Sequence, residues 1–187
     1  YYVFYEAGAD ITLASPLGGR PPVDPVSCEP GNQTDATRLF EADSKAQEQL
    51  SRTVALKDIN AADFDAVFYP GGHGPLWDLA TDSVSLSLIS DFHDQGKMIA
   101  AVCHGPAALL NVKSKSGSDL IAGRKFAGFT DEEENQAGVA AYVPFSLEQE
   151  AKKKGAIFQK RDSWSSFAVT DGLFVTGQNP QSSEATA

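Results

Sequence analysis

The 187-residue sequence has little of what builds disulfide frameworks, membrane spans or basic surfaces. Its two cysteines, Cys28 and Cys103, are too few for a disulfide scaffold and fit a reducing compartment in which at least one thiol is free. No apolar run has the length of a membrane span. With 15 basic against 25 acidic side chains, the formal charge of −10 argues against nucleic acid or an anionic membrane as the main partner. We therefore expect a cytoplasmic protein.

Short apolar segments alternate with longer mixed segments, a pattern typical of an α/β domain with a parallel sheet. Asp171-Gly172 predicts a hairpin between the last two strands. The absence of repeats and linkers predicts a single domain over residues 1–187. The predicted strands cover residues 9–14, 64–69, 97–103, 125–129, 155–159, 167–170 and 173–176. The predicted helices cover residues 34–51, 75–95 and, from a capping box at Ser146, a segment ending at Gly155.

The stretch Ala-Val-Cys-His-Gly, residues 101–105, matches the small–x–nucleophile–x–small pattern of a nucleophile elbow. Cys103 would lie on a strained strand-to-helix turn that closes only between small neighbours. A helix predicted over residues 106–110 would point its N-terminus at the sulfur and lower the pKa of the thiol. The alternative is a core cysteine at a strand end. Adjacent His104 favours the nucleophile, and Cys28, in a loop, has none of these features.

A second glycine-rich turn, Pro-Gly-Gly-His-Gly at residues 70–74, follows another predicted strand. Because ligands of doubly wound sheets bind at the carboxyl ends of strands, the two turns are expected to face one pocket. Backbone N–H groups near Gly72 and at His104 are candidates for an oxyanion hole. His73 either lines the pocket and contacts substrate or hydrogen-bonds its own loop. No cluster of ligand residues has metal-binding spacing, so we expect neither metal nor cofactor.

Four stretches together resemble a known family: residues 63–80, 96–110, 120–134 and 169–183. The chain resembles the PfpI-type, class I glutamine-amidotransferase-like superfamily, and most of all its heat-shock, glyoxalase III branch. AVCHGP followed by GFTDxxE is specific to that branch, whereas the elbow alone fits the whole superfamily. The resemblance implies a flavodoxin-like, doubly wound, mostly parallel sheet with helices on both faces.

The resemblance also implies a catalytic set of Cys103, His104 and Glu134, in which the glutamate orients the imidazole. The acidic neighbours at residues 131–133 are expected to form a solvated helix N-terminus. Members of the branch begin with a strand and a helix that carries a further glutamate, which hydrogen-bonds the cysteine sulfur. That segment would precede Tyr1, so we expect the first strand to be missing here and the natural protein to be longer by about 25 to 35 residues.

For function, the resemblance implies a glutathione-independent glyoxalase, also called a D-lactate dehydratase, that acts on small 2-oxoaldehydes without a cofactor. Methylglyoxal would become D-lactate through a hemithioacetal on Cys103, with the oxyanion held by backbone donors. The same site is a candidate for removing early glycation adducts from proteins. Relatives of this branch imply a homodimer and a role in stress response.

Three other functions are open. A stress chaperone or redox sensor would use the elbow cysteine for oxidation instead of turnover. A holdase also needs an exposed apolar patch, and we expect Trp77 and Trp164 to be in the core. A glutaminase needs a histidine and an acid downstream of the cysteine, but the only histidines are His73, His93 and His104. A cysteine protease is disfavoured because an adjacent Cys-His pair suits small open substrates better than folded polypeptide.

Overall fold

The computed structural model describes residues 1–187, which divide into two compact units, Tyr1–Ile59 and Asn60–Ala187. In the first unit the two strands pair in parallel, with Ala14 opposite Val54. The strand predicted over residues 9–14 therefore forms only at its end. The regular elements of the first unit are helices α1 (Tyr2–Glu6), α2 (Asp35–Ala42) and α3 (Ser44–Ser51), strands β1 (Ala14–Ser15) and β2 (Val54–Ala55), and 3-10 helices at Pro25–Cys28 and Leu56–Asp58.

The single helix predicted over residues 34–51 is two helices, broken at Asp43. The Asp43 side chain accepts hydrogen bonds from the backbone N–H groups of Lys45 and Ala46 and so caps the N-terminus of α3. Thr34 caps α2 in the same way, with a reciprocal bond at Thr37. A side chain that satisfies free N–H groups starts a new helix inside a polar segment that was predicted to be one helix.

The second unit holds most of the chain. Its strands are β3 (Ala66–Tyr69), β4 (Met98–Val102), β5 (Lys125–Phe126), β6 (Ile157–Phe158), β7 (Ala168–Asp171) and β8 (Phe174–Gly177). Its α-helices are α4 (Ser83–Asp94), α5 (Asp131–Gln136), α6 (Leu147–Lys153) and α7 (Ser183–Thr186). Short 3-10 helices lie at Ala61–Asp63, Gly74–Leu76, Gly105–Leu109 and Pro180–Ser182.

The main sheet of this unit has the strand order β3-β4-β8-β7. The strands β3, β4 and β8 are parallel, with Tyr69 opposite Ala101 and Val102 opposite Gly177. β7 and β8 form the predicted antiparallel hairpin around Gly172. β5 and β6 make a separate parallel pair. The α/β class, the parallel sheet and the C-terminal hairpin are confirmed, and the carboxyl ends of β3 and β4 lie side by side.

The helix predicted over residues 75–95 begins later than the apolar pattern indicates. Residues Gly74–Leu76 form a 3-10 turn, and α4 starts at Ser83 because the Asp82 side chain accepts a 2.7 Å hydrogen bond from the Ser85 N–H. The helix ends as predicted before Gly96, whose φ of 71° suits only glycine well.

The prediction that both tryptophans lie in the core is wrong, because Trp77 is 56% exposed and Trp164 is 38% exposed. Trp77 follows the short 3-10 turn and lies outside α4, so no helix face carries it inward.

None of the helices combines the length and the apolar character needed to cross a bilayer. The single-domain interpretation of residues 1–187 stays a prediction.

Candidate active site

Cys103 lies immediately after β4, on a backbone turn that few residues other than glycine adopt. Its φ is +63°, in the left-handed region where a side chain is strained. The Cys103 N–H donates to the Gly177 carbonyl at 3.0 Å, and its carbonyl accepts from the Phe129 N–H at 2.9 Å. These two bonds hold the turn from both sides. This is the geometry predicted for a nucleophile elbow.

Glycines allow this turn to pack against the end of β3. A Cβ on Gly105 would collide with the Tyr69 carbonyl and come within 2.7 Å of the Pro70 carbonyl oxygen. A Cβ on Gly71 would lie 2.7 Å from the Cys103 Cβ. Both separations are shorter than real Cβ contacts, so each glycine is required by close approach of the two turns.

The expectation that a helix dipole lowers the pKa of the thiol is wrong. The segment after the elbow is a five-residue 3-10 helix, Gly105–Leu109, not an α-helix. Cys103 is only 6% exposed, and this burial raises the pKa of its thiol from 9.0 to about 12. The backbone N–H groups of Gly72 and His104 oppose that rise as hydrogen-bond donors to the sulfur. At neutral pH the thiol therefore rests protonated.

His104 joins the sulfur to a carboxylate. Its Nδ1 lies 3.4 Å from the Cys103 sulfur and its Nε2 lies 2.6 Å from Glu134 Oε1. Burial lowers the pKa of the imidazole, although Glu134 opposes this, so the ring is neutral near pH 7. Since Nε2 must donate its proton to the carboxylate, Nδ1 has a free lone pair that faces the thiol. The tautomer is that of a general base for Cys103.

Glu134 is held ionised in spite of its burial. Burial raises the pKa of a carboxyl, but the hydrogen bond from His104 and the longer contact from His73 outweigh it and lower the pKa from 4.5 to about 2. The residue is 5% exposed and lies in the first turn of α5. A permanent carboxylate at this place fixes the orientation of the imidazole.

His73 lies in the same cluster. Its ring centroid is 4.2 Å from that of His104, and its Nε2 faces Glu134 Oε2 at 3.5 Å. Apart from this long contact, His73 Nε2 and Glu134 Oε2 have no hydrogen-bond partner. Of the two roles that the sequence left open for His73, its position beside the imidazole and carboxylate favours lining the pocket.

Glu133 corrects the expectation that residues 131–133 form a solvated helix N-terminus. Glu132 is exposed, but Glu133 is fully buried. Its Oε2 accepts from the Thr130 N–H and hydroxyl, and its Oε1 accepts from the Trp164 N–H, Gln178 Nε2 and Asn179 Nδ2 at 2.8 to 3.0 Å. Burial alone would raise the pKa of this carboxyl. The hydrogen bonds that it accepts outweigh burial, so its pKa lies below the ordinary value.

The Glu133 contacts fix the residues around the imidazole. The Trp164 backbone has φ +64°, and its ring packs edge-on against Phe129 at 5.6 Å. Phe129 in turn lies 4.4 Å from the His104 ring. Sequence reasoning missed this role of Glu133. The Thr130-x-x-Glu133 capping box was the available signal, because its glutamate turns back toward the helix start.

The structure brings all five sequence-predicted site residues together in the second unit. The Gly72 and His104 N–H groups face the Cys103 sulfur, and His73 and Glu134 lie against the His104 ring. Their catalytic and binding roles stay predictions. Three of them, His73, His104 and Glu134, each offer one metal-ligand atom, and these atoms lie within 4.8 Å of one another. The spacing argument missed this cluster because its members come from three separate segments.

A strained cysteine elbow and a buried His-Glu pair at the strand ends of a parallel α/β sheet define a class of nucleophile-elbow proteins. The model of the DJ-1/PfpI family matches residues 1–187. The chain belongs to the DJ-1/PfpI family, which confirms the resemblance found in the sequence.

Two curated relatives are similar over most of the chain. Glyoxalase 3 of Candida albicans is 34% identical over 195 residues, which cover 100% of this chain and 82% of the relative. The glutathione-independent glyoxalase HSP31 of Saccharomyces cerevisiae is 35% identical over 162 residues, which cover 83% of this chain and 68% of the relative.

Solved structures agree with the fold. The crystal structure of glyoxalase III from Candida albicans superposes with a TM-score of 0.91 at 33% identity, covering 99% of this chain and 80% of the other. Rapid Encystment Protein 24 KDa of Francisella tularensis superposes with a TM-score of 0.94 at 33% identity, covering 100% of this chain and 82% of the other. The flavodoxin-like fold class is thereby confirmed.

Proposed function

We propose that this chain is a glutathione-independent glyoxalase that converts methylglyoxal and water to D-lactate. The observation that carries the proposal is the placement of His104 between the Cys103 sulfur at 3.4 Å and the Glu134 carboxylate at 2.6 Å. Two relatives bear glyoxalase names at 34% and 35% identity. The reaction oxidises the aldehyde carbon and reduces the neighbouring ketone carbon of one molecule. It therefore needs a nucleophile, a base and hydrogen-bond donors, which this site offers.

The first step forms the carbon–sulfur bond. The Cys103 thiol gives its proton to His104 Nδ1 as the sulfur attacks the aldehyde carbon, so the carbonyl electron pair moves onto oxygen. The N–H groups of Gly72 and His104, which face the sulfur, stabilise the resulting oxyanion. The imidazolium then returns the proton to that oxygen, and a neutral hemithioacetal remains. Proton transfer during attack is needed here because the thiol rests protonated.

The second step moves hydrogen from C1 to C2. Neutral His104 removes the C1 proton, and the electron pair forms an enediol with the neighbouring ketone carbon. The imidazolium then returns the proton to C2, the C1 hydroxyl proton passes to the oxygen of C2, and C1 becomes the carbonyl of a lactoyl thioester on Cys103. C1 is oxidised and C2 is reduced, so no external oxidant or cofactor takes part. The buried, ionised Glu134 stabilises each imidazolium form.

Hydrolysis completes the cycle. Water attacks the thioester carbonyl while His104 accepts a water proton, and the departing sulfur is reprotonated as D-lactate leaves. Phe129 packs against the imidazole and Trp164 packs edge-on against Phe129, so the two rings would limit the space around a small 2-oxoaldehyde. Removal of glycation adducts from proteins would need a larger opening and remains a secondary prediction.

The test is formation of D-lactate from methylglyoxal with no glutathione present. We expect turnover by the wild-type chain, background rates for Cys103→Ala and Glu134→Ala, and unchanged turnover for Cys28→Ala, whose cysteine is exposed. Turnover that survives in Cys103→Ala would eliminate the proposal, as would a wild-type chain without activity. Circular dichroism of each variant checks that loss of activity is not loss of fold.

We also propose, on the resemblance alone, that the protein is a cytoplasmic homodimer. Light scattering after gel filtration tests the dimer, and a mass of one chain, 19.9 kDa, at micromolar concentration would exclude it. The redox-sensor alternative is disfavoured because it requires an exposed, resting thiolate, and the Cys103 thiol is buried with a raised pKa.

A further inference from the structure

We propose that His73, His104 and Glu134 form a binding site for a divalent, zinc-like metal ion, and that an ion bound there blocks the activation of Cys103. The proposal departs from the sequence expectation of no metal. Its binding part stands on geometry alone, and its inhibitory part rests on the proposed function.

The distances fit a small ion after a minor adjustment. The ligand atoms of the three residues lie within 4.8 Å of one another, and His73 Nε2 and Glu134 Oε2 are 3.5 Å apart. Zinc bonds of about 2.0 Å in a tetrahedral site place neighbouring ligand atoms about 3.3 Å apart. Each ligand therefore needs to move by no more than about 1.5 Å, which side-chain rotation provides.

The second observation is a pair of buried polar atoms that face each other across a long contact and have no other partner. Glu134 Oε2 and His73 Nε2 are buried, lie 3.5 Å apart, which is too long for a good hydrogen bond, and have no other partner; the Glu134 side chain is only 6% exposed. A buried polar atom without a partner is costly, and a cation between these two atoms satisfies both. Two imidazoles and a carboxylate are a donor set that suits zinc and leaves a fourth position open.

His73 is the most exposed member of the cluster. His73 keeps 34% of its side chain exposed, whereas His104 is 1% exposed, so an ion reaches the site past His73. The Cys103 sulfur is not a ligand in this arrangement, because it lies against Nδ1 of His104 and the metal would bind Nε2 on the other edge of the ring.

Metal on Nε2 changes what Nδ1 can do. A neutral imidazole with Nε2 bound to metal carries its remaining proton on Nδ1. Nδ1 then has no lone pair to accept the thiol proton, and Glu134 is engaged by the ion. The bound ion is therefore an inhibitor of the proposed reaction and not its cofactor.

Binding is tested on the metal-free Cys103→Ala chain that also carries Cys28→Ala, so that neither activity nor a thiol contributes. We expect calorimetric titration with zinc chloride to give one ion per chain, with affinity at least tenfold weaker after adding His73→Asn and unchanged after adding His93→Asn. His93 is a matched control, since it pairs with Asp94 away from the cluster. No binding by this chain, or equal affinity with and without His73→Asn, would overturn the proposal.

Inhibition is tested on the wild-type chain. Zinc should abolish lactate formation, a chelator should restore it, and the inhibitory concentration should rise at least tenfold in His73→Asn but not in His93→Asn. An inhibitory concentration unchanged by His73→Asn would overturn the inhibitory part. Zinc binding is measured in a chain without the nucleophile, so it does not depend on whether the chain is a glyoxalase. Lactate formation without zinc, in turn, does not depend on whether the metal site exists.

Discussion

Replacing Glu134 by glutamine tests the role of the carboxylate with the smallest change in shape. In the wild type, Glu134 Oε1 accepts a 2.6 Å hydrogen bond from His104 Nε2, so Nδ1 keeps its lone pair toward the thiol. The glutamine amide presents an NH₂ group as readily as an oxygen. Donation from that NH₂ to Nε2 moves the ring proton to Nδ1, and His104 no longer accepts the proton of Cys103.

The expected loss follows from what a general base contributes. A positioned base accelerates a reaction by about 10²- to 10⁴-fold, and we expect kcat for D-lactate formation from methylglyoxal to fall by that factor. The same range corresponds to about 2.7 to 5.4 kcal/mol of activation free energy. The substitution lies at a residue 5% exposed, so solvent does not screen the change.

The matched control is Glu132→Gln, which removes the same charge from an exposed position on the same helix. It should leave kcat unchanged. If Glu134→Gln retained kcat within about threefold of the wild type, a range that corresponds to less than 1 kcal/mol, the carboxylate would not set the tautomer of His104 and the reasoning would fail.

Three further predictions concern the turn, the imidazole and the buried glutamate. Gly105→Ala should lower stability by about 1 to 3 kcal/mol in thermal unfolding, because the added methyl meets the Pro70 carbonyl, whereas Gly74→Ala, with open space, should not. The pKa of His104 is lowered from 6.5, so kcat/KM should hold as pH falls to 6.5 and decline only below it, and a decline already complete at pH 6.5 would contradict this. Glu133→Gln should lower the free energy of unfolding by about 2 kcal/mol or more, because buried donors lose their acceptor. The Tm should fall by roughly 4 to 8 °C, and an unchanged Tm would refute the role of these hydrogen bonds.

The elbow was predictable from sequence because its determinants are local. A strand followed by a nucleophile between small residues has few ways to turn. Gly105 is small because a side chain there would collide with the backbone at the end of β3, as the pattern predicts. The hairpin at Gly172 and the stop at Gly96 are local in the same sense, since each needs a positive φ. Glu134 needed more than local physics: only the resemblance to a family motif separated it from its acidic neighbours.

What the sequence did not predict depends on tertiary packing. The segment Gly105–Leu109 is entirely buried, so packing and not helix propensity decides that it is a 3-10 helix. The raised pKa of Cys103 follows from burial by residues distant along the chain, which no local pattern encodes. Glu133 and Glu132 are adjacent and chemically identical, yet one meets five donors and the other meets solvent.

The central claim is that Cys103 rests as a thiol and is activated by His104 during attack. The most direct measurement is the rate of Cys103 alkylation by iodoacetamide as a function of pH, read by mass spectrometry so that Cys28 is counted separately. The account predicts a rate still rising above the ordinary cysteine pKa of about 8.5, without a plateau below it. A plateau reached with a midpoint below about pH 7 would mean a resting thiolate and would contradict the account.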